Sequence, residues 1–255
     1  MDDFLVKILQ SKLVSIFKEP SIIRDLGSSN NRIALDAVAQ LRELDSTYFL
    51  VGKDFHGANL QRANLSGINI RLERTVLANA NLQNANLEDT VMDYADLRNA
   101  DLRKAQMKEV HLFRANLRHA KLQGANLLVA HLHGADFSYA DLRDTDLHNA
   151  RMHEVNFLGA DFRGAYLYYA KFTNANLENA NFDGADWGEK YKGRYFLTLP
   201  DGTELTSEKD LERFTNPEHP EFWRPNSPVV WGDGVVVQRK RAPVDLDLHN
   251  NILHY

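Results

Sequence analysis

Between Lys53 and Trp187 large apolar residues return at every fifth position. Leu77, Leu82, Leu87, Met92, Leu97, Leu102 and Met107 open a series that runs without a slip to Phe182 and Trp187, and Phe55, Leu60, Leu65 and Ile70 precede it at the same spacing. Two residues before nearly every large residue stands alanine, as at Ala80, Ala85, Ala95, Ala100 and Ala105. The exceptions are mostly small or β-branched: Thr75, Thr90, Val110, Thr145 and Val155. A helix would bring successive members of the series to different faces, and a strand would alternate them in and out. A period of five predicts instead a chain that turns a corner in each unit, with the large side chain inside and alanine where the walls come close. Successive units make a coil, and stacked coils bury a continuous core that no single coil could bury.

Units such as Ala95-Asp96-Leu97-Arg98-Asn99 and Ala125-Asn126-Leu127-Leu128-Val129 closely resemble the pentapeptide-repeat family, over about half of the chain. The resemblance implies a mainly β fold, a right-handed quadrilateral β-helix. In that geometry the residue before the large apolar one and the two after it face solvent. Residues one coil apart then stack in columns about 4.8 Å apart. Ile70 and Leu77 are seven residues apart, which predicts a two-residue bulge among Leu72, Glu73 and Arg74, read as a tolerated corner.

The flanks follow other patterns. Residues 1–50 read as a helical region and cap. Ile33, Ala34, Ala37, Val38, Leu41 and Leu44 form an amphipathic stripe from about Asn31 to Leu44. Phe4, Leu5, Ile8, Leu9, Leu13, Ile16 and Phe17 suggest an earlier helix broken by Pro20. The β-helix is assigned to 51–187, and a small α/β capping module with a tail to 188–255. In that module, Tyr195–Leu199 and Thr203–Leu205 flank a Pro200-Asp201-Gly202 turn. Ser207 and Asp210 resemble a capping box for a short helix ending near Phe214. Val229–Trp231 and Val235–Val237 flank Gly232-Asp233-Gly234 as a second hairpin, and Asp245–Tyr255 is expected to be mobile or to swap onto a partner.

Composition narrows the function. The chain is 44% apolar and 25% charged, with no cysteine and a net charge of −5. These values exclude a disulfide framework, thiol chemistry and a strong bias toward a polyanion. No apolar run reaches a membrane span and the start lacks the pattern of a signal peptide, so a cytoplasmic location is expected. Arg239-Lys240-Arg241 is too short to argue nucleic-acid binding, and no direct nucleic-acid contact is expected. Phosphate-cradling glycine loops, nucleophile motifs and paired cysteines are missing, so neither an enzyme nor a cofactor is expected.

Three outer faces carry the remaining signal. Asp101, Lys121, Asp141 and Asp161 form one column beside Arg103, Gln123, Arg143 and Arg163, an arrangement expected to pair charges across coils. His111 and His131 share a second face with His133 and His153, with Phe113 above. Their spacing suits zinc or nickel, although an exposed histidine ladder is the plainer reading. On a third face Leu128, Val129, Tyr166, Tyr168 and Tyr169 point outward where polar residues are expected. With Phe113, these suggest a contact surface for an unidentified protein partner. The terminal module or the N-terminal helix folding over them is the alternative.

A non-catalytic interaction or scaffold protein is the favoured reading, with the terminal regions as the place where a homodimer would form. Some members of the resembled family protect DNA gyrase by imitating duplex DNA, so a topoisomerase-directed protection factor is the second reading. Such imitation needs a sustained negative field, one charge per roughly 1.7 Å. The interleaved Asp and Arg columns do not supply it.

Overall fold

The computed structural model describes residues 20–44, 50–67, 70–190 and 195–223, and the backbone of 230–231 and 235–236. The helix suggested for Phe4–Phe17 and the stretch Asp245–Tyr255 lie outside the described residues.

The five-residue unit is a complete hydrogen-bonding cell. In the unit centred on Leu97, the Leu97 N–H donates to the Asn116 carbonyl of the next coil at 2.7 Å and the Asn99 N–H to that of Arg118 at 3.0 Å. The Asp96 N–H reaches back to the Thr75 carbonyl at 2.9 Å, and the Ala95 N–H closes a turn onto Met92 at 3.1 Å. The fifth donor, the Arg98 N–H, is accepted by the Asp96 side chain at 3.2 Å. No backbone N–H of the unit is left over, as burial requires. Asn and Asp recur one position before the large residue because their short side chains make this two-residue turn. The same bond forms at Asn81, Asp101, Asn116, Asp141 and Asn156, among others.

The corner is made two residues after the large one, where the backbone is left-handed, with φ of 59° at Asn79 and 56° at Asn99. Stacking is parallel and four-sided: Asp96 bridges Asn116, Asp101 bridges Lys121, Gln106 bridges Asn126 and His111 bridges His131. The large residues and alanines fill one continuous core, with Leu82, Leu97, Leu127 and Phe157 fully buried beside Ala85, Ala95 and Ala130. Thr75 fits an alanine position because its hydroxyl donates to the Leu72 carbonyl at 2.7 Å.

The bulge lies earlier than the spacing suggested. Asn64 pairs with Asn86 while Arg71 pairs with Val91, so the two extra residues fall between Asn64 and Arg71. Leu72, not Ile70, is the large central residue of its unit, and Ile70 takes an alanine position, where it is still buried. Leu50, placed by the sequence in the helical region, is fully buried and already obeys the coil pattern: Lys53 closes its turn onto Leu50 at 3.0 Å.

The first coil has no coil before it, and its exposed carbonyls are met by side chains. The Asn31 amide donates to the carbonyls of Asn59 and Gln61, both at 3.1 Å, and Arg42 donates to that of Ser66 at 3.1 Å. Asn31 opens, and Arg42 follows, a helix spanning Asn31–Leu41 that is N-capped by Asn30. Ala34, Ala37, Val38 and Leu41 join the core. Ile33, counted in the apolar stripe, instead faces solvent at 43% exposure, since it sits one step off the buried side.

At the other end, Phe172 donates to the Thr198 carbonyl at 2.9 Å, Asn174 to that of Pro200 at 2.7 Å, and Asn179 to that of Thr215 at 2.7 Å. Thr198 also pairs antiparallel with Glu204 across the Pro200-Asp201-Gly202 turn. A 3₁₀ turn at Glu208–Leu211 leads into a short helix at Glu212–Thr215. The Asp210 carboxylate accepts from the Ser207 and Thr206 N–H groups, both at 2.9 Å. Val230–Trp231 pairs antiparallel with Val235–Val236.

Candidate interaction surfaces

Each coil presents four outer faces, and the local hydrogen-bonding rule distinguishes them. On three, most positions before the large residue are Asn or Asp, bound to the turn. On the fourth, which carries Arg71, Val91, His111, His131, Arg151 and Lys171, none is.

The Asp–Arg face behaves differently from the sequence expectation. Arg103 grips Asp101 through Nε at 2.8 Å and a second nitrogen at 2.6 Å, and Arg143–Asp141 and Arg163–Asp161 repeat the fork. Pairing is thus within a unit and not chiefly across coils. The reason is geometric: both residues flank one large side chain and emerge on the same side of the wall. A contact across coils persists at 3.6 Å between Arg143 and Asp161. Burial alone would raise the Asp101 carboxyl, but hydrogen bonds from Arg103 and Gln83 outweigh it and hold it below the usual carboxylate range.

The histidine face is a stack of rings. His111 and His131 lie 4.6 Å apart with planes within 10°, and Phe113 and His133 lie 5.4 Å apart within 7°. His133 and His153 are 6.3 Å apart and tilted, and Tyr94 packs edge-on against Phe113 at 5.3 Å. Arg74 sits over the Tyr94 ring and Arg114 over that of Phe113. Because His111 makes no turn bond, the Phe113 N–H is served by Asp93 of the previous coil at 2.8 Å. Burial first, then the neighbouring His111 and Arg151, lower the pKa of His131; burial, His133 and Lys171 do the same for His153. Among the described residues no group of three or more His, Cys, Asp or Glu side chains is placed to hold a metal ion. The parallel rings use their faces on one another, which explains the ladder without a metal.

The third face carries the tyrosines. Tyr166 is 45% and Tyr169 40% exposed, whereas Leu128, Val129 and Tyr168 are half-buried. The Tyr168 ring occupies the space a Cβ at Gly188 would need, and its hydroxyl donates a hydrogen bond to the Tyr169 hydroxyl at 3.4 Å. Phe196, from the segment after the coils, packs on Tyr169 at 4.9 Å and on Tyr168 at 5.9 Å. The cover expected from the terminal module therefore reaches one side of the cluster and leaves Tyr166 open. His148 stacks on Tyr166 at 6.1 Å and pairs with Asp146 at 2.6 Å. Glu88, Asp89, Glu109, Asp146 and Asp186 make this the most acidic side, against Lys108. Val129 holds a left-handed φ of 60°, a strained conformation for a β-branched residue.

Sequence reasoning passed over Tyr94 and Tyr139, both exposed. Each sits two positions after a large residue, so the register alone would have placed them outside. Tyr139 stacks on His119 at 5.2 Å.

No curated protein matches the chain. Among solved structures, a form of QnrB1, described as a plasmid-mediated fluoroquinolone resistance protein, is 17% identical and covers 56% of this chain and 86% of its own, with a TM-score of 0.25. HetL, described as involved in heterocyst differentiation regulation in Nostoc sp. strain PCC 7120, is 28% identical over 61% of this chain and 88% of its own, with a TM-score of 0.23. A pentapeptide repeat protein from the Arabidopsis thaliana thylakoid lumen is 27% identical over 53% of this chain and 59% of its own, with a TM-score of 0.22. The model of the family described as pentapeptide repeats matches residues 49–72, 70–108, 111–149 and 145–184, in eight copies. With the five-residue hydrogen-bonding cell repeated along the same residues, the chain belongs to the pentapeptide repeat family.

Proposed function

We propose that this protein is a non-catalytic interaction or scaffold protein, and that the tyrosine side of the coil is its principal contact surface. The observation that carries this reading is the open pair Tyr166 and Tyr169, held rigid beside Tyr168 and Phe196 on an acidic wall. Tyrosine contributes much contact area for little lost side-chain freedom, and rigid aromatic groups anchor protein interfaces. A partner with a basic rim and an apolar centre matches this surface. Leu128 and Val129 lie in the columns of Tyr168 and Tyr169, two coils earlier, and Phe113 belongs to a different face. The Asn31–Leu41 helix and the 195–215 segment serve in this reading as caps, since both meet backbone groups that a further coil would otherwise meet. A homodimer would form through one of these ends.

On the Asp–Arg face the topoisomerase-directed alternative draws no support, because Asp101, Asp141 and Asp161 are each paired with their own arginine. The test is affinity capture with the wild-type chain and with Tyr166→Ser/Tyr168→Ser/Tyr169→Ser, followed by direct titration of any captured protein. A loss of roughly tenfold or more in affinity, with unchanged melting, is expected for the variant. Equal affinity of both chains for the same partner would remove the tyrosine face from the interface.

A further inference from the structure

The face of Arg71, Val91, His111, His131, Arg151 and Lys171 breaks the local folding rule in every coil. On the other faces the corresponding position is mostly spent on an Asn or Asp that satisfies the turn N–H. Here no side chain at that position makes the turn bond, and at Phe113 the N–H is served instead by Asp93 of the preceding coil. Sites where local consistency is abandoned without a gain in folding are where function is to be sought. What replaces Asn and Asp is almost uniformly basic or titratable to a base.

We propose that this face is a docking surface for an acidic peptide segment, and that its affinity rises as the pH falls below neutrality. Charge complementarity argues the occupant. Arg71, Arg74, Arg114, Arg151 and Lys171 stand around the four histidines against Glu73, Asp93, Glu109 and Glu154, so protonation of the histidines turns a near balance into an excess of positive charge. Ring orientation argues the chemistry. His111 and His131 are parallel and in stacking contact, so each gives one face to the other while its nitrogen-bearing edge remains for a ligand. A nucleic acid would want free ring faces for its bases, whereas a carboxylate wants N–H donors at an edge. The wall already brings one carboxylate toward an imidazole, Glu154 toward His133 at 3.7 Å, an ion-pair distance rather than a hydrogen bond. Protonation adds positive charges along two adjacent columns, and a docked carboxylate offsets the repulsion between stacked imidazoliums.

The same columns show how to lock the charge on, since Arg and Lys already stand in line with His111 and His131. The experiment is fluorescence anisotropy of the full chain with a labelled glutamate-rich peptide at about pH 7.5 and about pH 5, the lower value set beneath the ordinary histidine range because His131 and His153 are shifted down. Binding roughly tenfold tighter at the lower pH is expected, together with loss of that difference in His131→Gln/His153→Gln. His111→Arg/His131→Arg is expected to bind at pH 7.5 nearly as tightly as the wild type does at the lower pH, which keeps the test decisive if the glutamine variant melts early. Equal affinity at both pH values, a pH dependence that survives the glutamine substitutions, or tighter binding of a single-stranded oligonucleotide than of the peptide would each overturn the proposal.

Discussion

The residue two places after each large side chain is asked for a left-handed backbone, and the chain answers with Asn, Asp or Gly at most corners. Asn79, Asn84, Asn99, Asn149, Asn174 and Asn179 do so at modest cost, because a short polar side chain tolerates that region. Val129 does not, because a β-branched side chain is strained in that region. Val129→Asn is therefore expected to raise stability by about 1 kcal/mol, read as a later midpoint in denaturant unfolding. A midpoint unchanged or lower would show that the contacts of Val129 with its neighbours outweigh its backbone strain. The position before each large residue follows an equally local rule, since one short carboxylate or amide oxygen satisfies a turn N–H that no coil can reach. This rule was not evident from the apolar period alone. It became readable only when the Arg98 and Arg103 N–H groups were seen to end on Asp96 and Asp101.

At the scale of the coil, the inside has two kinds of place, one wide and one narrow. Ala120 is fully buried in the narrow place, and Gln123 of the same unit stands on the outer wall. Ala120→Trp should cost about 3 kcal/mol or more by overpacking, while Gln123→Trp should change stability little. Thermal or denaturant unfolding of both variants checks this, and equal tolerance would contradict the register. The ends of the coil obey the same logic in reverse. Asn31 and Arg42 supply donors to the first coil's carbonyls, and Thr198, Pro200 and Thr215 supply acceptors to the last coil's N–H groups. The misplacement of the bulge belongs to this scale as well. Ile70 is large and in phase with Leu65, so spacing alone named it a central residue. Pairing between Arg71 and Val91 made it a wall residue instead.

Taken as one molecule, the rod carries opposite tendencies on different sides, and pH separates them. Burial and neighbouring positive groups lower the pKa of His131 and His153, so the unfolded chain takes up their protons first. The folded state then binds fewer protons, and stability falls as the pH drops below the ordinary histidine value near 6.5. Asp101 and Asp161 act in a lower window: hydrogen bonds hold both below the usual carboxylate range, so their contribution persists until the pH falls through about 4 and below. Two separate losses of melting temperature are expected on acidification. His131→Gln/His153→Gln should remove the upper one and leave the lower, and an upper loss that survives in that variant would contradict the assignment. The sequence by itself determined the inside residues, because with a period of five neither helix nor strand gathers every large side chain on one side. Its resemblance to the pentapeptide-repeat family, with a four-sided coil, implied which residues share a face, and so the histidine ladder and the tyrosine cluster. Only the tertiary structure decided which of these are open, where the bulge falls, and that each Asp is held by its own Arg. Those outcomes depend on contacts between coils and on segments folding back, as Phe196 does on Tyr169, and such contacts leave no period in the chain.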